Sequence, residues 1–99
     1  MDTFMEQTLN KIEELDNISK CVLSIDILLR NGNVVSAYRQ GVQTVDLIKD
    51  QENRKIMVRA LLRIRKGEQI DALNDVKSLH DLLKNEKKKI LIAALEKRK

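Results

Sequence analysis

The chain has no proline and no tryptophan, one tyrosine, one phenylalanine, one cysteine and three glycines in 99 residues. Without proline, no position is barred from a helix interior, and only Gly32, Gly41 and Gly67 reach left-handed backbone cheaply. The scarcity of aromatics removes the stacking platforms on which single-stranded nucleic acids are held. The lone Cys21 excludes an internal disulfide, so an oxidising compartment is not required and a reduced cytoplasm is expected. No apolar run approaches the roughly 20 residues of a membrane span. The first residues, Met1 to Glu6, carry acids where a secretory signal carries Lys or Arg, which predicts a soluble chain.

What remains is mostly Leu, Ile, Lys, Arg and Glu, an all-α composition in a length that suits one domain spanning 1–99. Nineteen basic against fifteen acidic residues give a formal charge of +4, unevenly spread. Basic residues collect at Arg54-Lys55, Arg63-Ile64-Arg65-Lys66, Lys87-Lys88-Lys89 and Lys97-Arg98-Lys99, while the first sixteen residues lean acidic. Such runs are solvated helix faces and cations near helix C-termini, or a surface for phosphates or an acidic partner.

Periodicity predicts about six helices. Thr3 and Glu6 form a capping-box pattern ahead of Met5, Leu9 and Ile12, giving a helix over 3–15. Asp16-Asn17 interrupts it, and Ile18, Val22, Ile25 and Leu29 mark a second over 18–30 that stops at Asn31-Gly32. A third runs from Val34 to Ile48, with Gly41 inside it implying close approach of a neighbouring helix. After the polar break at 49–52, Ile56 to Ile64 are apolar nearly all round and predict a central fourth helix ending at Lys66-Gly67. Ile70 to Leu83 form a fifth and 86–98 a sixth, built around Ile90 to Leu95.

Two stretches repeat. Gly32-Asn33-Val34-Val35-Ser36-Ala37 and Gly67-Glu68-Gln69-Ile70-Asp71-Ala72 share a frame offset by 67 − 32 = 35, and Asp46-Leu47-Ile48-Lys49 recurs as Asp81-Leu82-Leu83-Lys84. A two-helix unit of this period resembles the tetratricopeptide repeat, although the consensus Trp and closing Pro are missing. The fold expected is therefore a divergent tetratricopeptide-like array of tandem helical hairpins, with units at 18–50 and 53–85 between the terminal helices. Gly32, Ala37, Gly41 and Thr44 correspond to Gly67, Ala72, Val76 and Leu79. In the fourth helix one extra residue is expected before the Gly, matching Met57, Ala60, Leu61 and Ile64 to Cys21, Ser24, Ile25 and Leu28.

The run Leu29 to Gly41, then Ala60 to Gly67 and a basic C-terminal helix, resembles the small tetratricopeptide-like needle chaperones of bacterial type III secretion systems over about residues 27–97. That resemblance implies a cytoplasmic chaperone that works with a second small helical co-chaperone. It would hold a secreted needle subunit monomeric by covering an amphipathic helix of that subunit. In such arrays the first helix of each unit lines the concave face. Carried over, this makes Val22, Asp26, Leu29, Val58, Leu62, Arg65, Lys89 and Ile92 the candidate partner-binding groove. Ordinary core packing is the alternative for the aliphatic members, and an exposed apolar patch at Val58 and Leu62 would favour binding.

Catalysis is not expected. His80, the only histidine, has no second ligand at metal spacing and reads as a helix-surface residue, so neither a metal nor a cofactor is implied. Cys21 has no histidine within helical reach, and Ser24, Ser36 and Ser78 sit in no nucleophile or phosphate-loop pattern. Two other readings remain open: a basic helical nucleic-acid-binding or regulatory protein, and a scaffold whose acidic first and basic last helices pair between protomers.

Overall fold

Gly32 and Gly67 set the two turns in which a helix ends and the next begins within a few residues. Each adopts left-handed backbone, with φ of 76° and 80°, and each closes the same pair of bonds. The Gly32 amide donates to the Leu29 carbonyl at 3.1 Å and the Asn33 amide to Leu28 at 2.8 Å, matched by Gly67 to Ile64 at 3.1 Å and Glu68 to Arg63 at 2.8 Å. This two-bond cap satisfies carbonyls that a bare helix end leaves unpaired. Nothing lies within 4 Å of where a Cβ would sit on either glycine, so backbone conformation alone makes the demand. Gly67→Ala is expected to lower stability by about 1 to 2 kcal/mol, and Gly67→Asn by less, because Asn tolerates this conformation. Thermal unfolding followed by circular dichroism checks the order of the three proteins.

The computed structural model describes residues 3–97. They form four helices: α1 Thr3–Arg30, α2 Val34–Val45, α3 Gln51–Arg65 and α4 Gln69–Lys97. The chain is all-α, and the six-helix array expected from periodicity gives way to these four, because two of the anticipated breaks do not occur. The segments 3–15 and 18–30 are one helix: with neither Gly nor Pro at 16–17, Leu15 and Ile18 both stay buried, and Asp16 takes an ion pair from Lys87 of α4 at 2.8 Å. The fifth and sixth merge likewise, with Glu86 facing Asn53 of α3 at 3.5 Å where a break was expected. Residue 98, the expected end of the last helix, lies outside the described residues. The break before α3 is real. There the Asp50 carboxylate accepts from the Asn53 amide at 3.0 Å, capping a helix that starts at Gln51.

Each helix touches two others: α1 packs on α2 and α4, and α3 packs on α2 and α4. The diagonal pairs α1/α3 and α2/α4 do not meet among the described residues. Most of the core obeys the repeat. Ile18, Val22, Ile25 and Leu29 are buried, and so are Asn53, Met57, Ala60 and Ile64, each 35 residues on; Ala37, Gly41, Thr44 and Ile48 match Ala72, Val76, Leu79 and Leu83 in the same way. The offset is constant, so the extra residue expected before Gly67 is absent. A stacked array would repeat by translation and set α1 against α3. Here α4 closes back on α1 as α3 packs on α2, so the two hairpins are related by an approximate rotation and enclose one core.

Candidate partner-binding surface

The eight residues expected to line one groove are dispersed. Val22, with no exposed surface, and Leu29 belong to the core. Asp26 is half-buried on α1 and paired with Arg30 one turn on. Val58 and Leu62 are 41% and 52% exposed on the outer face of α3, and Arg65 is exposed at its C-terminal end. Lys89 and Ile92 are exposed near the far end of α4. A concave face shared by α1 and α3 is not assembled, since those helices occupy opposite corners. The misplaced register explains the mixture. At the constant offset, Val58 and Leu62 correspond to Leu23 and Ile27, which are also about half exposed, and not to Val22 and Asp26. Carrying the Gly32/Gly67 offset unchanged through the helices pairs Leu23 and Ile27 with Val58 and Leu62.

A different surface emerges where the two layers end unequally. α1 and α4 have 28 and 29 residues against 12 and 15 for α2 and α3, so at 1.5 Å per residue the long pair outreaches the short pair by roughly 20 Å. Asp16 beside Lys87 and the Lys97 ammonium 4.1 Å from the centroid of the Phe4 ring fix α1 and α4 as antiparallel neighbours along this extension. Before Leu15 only Thr8 is buried among the described residues of α1, and after Leu83 no described residue of α4 is. The six apolar residues Ile90 to Leu95 therefore surround a helix that has a single neighbour. Ile92 is 55% and Leu95 64% exposed. A helix apolar on every side is ordinarily enclosed on every side.

The step where α2 and α3 stop is hollow on both flanks. Leu15, Ile18, Ile48, Leu83 and Ile90 line a cavity of about 320 Å³ with Lys11, Glu14 and Asp50 at its rim. On the α3 flank an open trough of about 560 Å³ runs from Asp50 and Asn53 past Leu82 and Asn85 to Lys89 and Ile92. Two of the residues expected to bind a partner, Lys89 and Ile92, thus share one depression. Val58 and Leu62 line a separate depression with Arg54, Lys55 and Arg59 on α3 alone.

Charge is partly consumed inside the fold. Asp75, 4% exposed, accepts from Arg59 Nε at 3.1 Å and Nη2 at 2.8 Å, and from Arg63 Nη1 at 2.9 Å through each oxygen. Lys49 pairs with Glu14 at 3.1 Å and Lys87 with Asp16. Arg63 and Lys87, two members of the basic runs, are thereby turned to carboxylates, which shrinks any phosphate-binding surface. Lys88 and Lys89 enter no ion pair among the described residues. His80 is half-buried in a crevice between α1 and α4 with Leu23, Asp26, Lys77 and Asp81, more enclosed than the surface position expected of it. No group of three His, Cys, Asp or Glu residues among the described residues could hold a metal ion. No described helix is long and apolar enough to cross a membrane.

Comparison with protein-family models, with curated proteins and with solved structures finds no match to this chain.

Proposed function

We propose that this chain is a protein-binding chaperone that covers an amphipathic helix of a client and so keeps the client from assembling. The observation that carries the reading is the exposure of Leu91, Ile92 and Leu95 on the two-helix extension, next to the apolar cavity that Ile90 lines at the ends of α2 and α3. A client helix laid along the extension would complete the layer that α2 and α3 leave unfinished, burying its own apolar stripe against α4. The resemblance noted in the sequence names the client class: a needle subunit of a type III secretion system, held in the bacterial cytoplasm together with a second small helical co-chaperone. Capture resting on a few aliphatic anchors is reversible, as export requires.

Co-expression with such a needle subunit, followed by affinity capture, tests the proposal. Ile92→Asp combined with Leu95→Asp is expected to weaken capture at least about tenfold, since each aspartate places a charge in a surface that must be dehydrated. The far-ultraviolet circular dichroism of the free variant should match the parent, because both side chains already face water. Val58→Asp probes the other exposed face of the bundle. Undiminished capture by the double variant would overturn the assignment to the extension, and loss confined to Val58→Asp would move the site to α3.

A further inference from the structure

We infer that the extension formed by α1 residues 3–14 and α4 residues 87–97 is half of an intermolecular four-helix bundle, and that its occupant in the purified protein is a second copy of the chain. The surface is self-complementary in charge. Glu6 and Glu13 are exposed on α1, Lys88 and Lys89 are exposed on α4, and none of the four enters an ion pair among the described residues. A surface that carries both signs on adjacent helices is matched by itself after a two-fold rotation, which sets α1 of one copy on α4 of the other. The Asp16–Lys87 and Phe4–Lys97 contacts set the height of every residue along the pair and put Glu13 level with Lys89. A two-fold axis parallel to the helices keeps those heights, so Glu13 of each copy meets Lys89 of the other. Between the charged edges, Leu91 and Leu95 supply the apolar seam that a bundle of this kind buries.

The dimer stands independently of the client reading. Sedimentation equilibrium of the purified chain tests the dimer with no client present. The mass is expected to rise from 11.4 kDa toward twice that value between about 1 and 200 µM, and to fall back as salt screens the charged edges. Leu91→Asp with Leu95→Asp should remain monomeric over that range with unchanged helicity. Glu6→Lys with Glu13→Lys should be monomeric alone, as should Lys88→Glu with Lys89→Glu, while an equimolar mixture of these two proteins should recover the doubled mass. Recovery in the mixture cannot come from a general loss of folding. A parent chain that stays monomeric to the highest concentration, or charge-reversed variants that each dimerise like the parent, would overturn the inference while leaving client capture untouched.

Discussion

Gly41→Leu is expected to destabilise the protein by about 3 kcal/mol, the upper range for forcing extra methylenes into a filled core. A Cβ on Gly41 would stand 2.5 Å from Leu61 Cδ2 and 3.3 Å from Met57 Cε. Met57 is fully buried and Leu61 nearly so, so neither can swing into solvent, and a leucine would have to push α2 away from α3. Alanine separates two opposing effects at the same site. It gains about 0.5 to 1 kcal/mol of helix propensity over glycine but meets the same Leu61 methyl, so a smaller net loss of about 1 kcal/mol is expected. Leu61→Ala should relieve much of the penalty of Gly41→Ala, which appears as non-additivity when both are combined. Urea unfolding measures all four proteins. Equal midpoints for the parent and Gly41→Leu would mean that α2 and α3 do not approach as described.

Asp75→Ala should cost about 2 to 3 kcal/mol. The carboxylate is buried, and four contacts of 2.8 to 3.1 Å tie it to Arg59 and Arg63, so α4 is bonded to α3 through charged groups. Hydrogen bonds to charged partners contribute about 1.5 to 3 kcal/mol, and losing several at once would exceed that if the arginines were stranded. They are not. Their side chains are 55% and 34% exposed, so water takes over part of their solvation and holds the cost near the middle of the range. Asp75→Asn keeps an acceptor without the charge and should lose roughly half as much. A denaturation midpoint that does not move in Asp75→Ala would show that the two arginines contribute nothing through this carboxylate.

Much of the helical punctuation is legible in the sequence. Gly32 and Gly67 announced two helix ends because only glycine occupies their left-handed position without strain, and the Gly41 exception pointed to a tight helix contact that Leu61 supplies. The false breaks came from reading polar residues as termini. Asp16 looks like an interruption along its own helix, yet it pairs with Lys87, 71 residues away on another, which local periodicity cannot reveal. The candidate groove suffered from a single assumed insertion. Shifting the second unit by one residue turns a helix by about 100°, enough to equate buried Val22 with exposed Val58. Of the eight groove residues, Lys89 and Ile92 share one depression and Val58 and Leu62 another, each pair coming from neighbouring turns of a single helix.

The sequence by itself determined that the chain is helical, that it turns at two glycines, and that the segments following those glycines recur at an interval of 35. Only the tertiary structure decided how the two units meet. A constant interval is satisfied equally by translation into an open array and by rotation into a closed bundle, and local residues do not distinguish them. The difference lies in which distant faces bury each other, and α4 finds α1. That closure places the apolar stripes of all four helices in one core and leaves Leu91, Ile92 and Leu95 exposed near the end of α4.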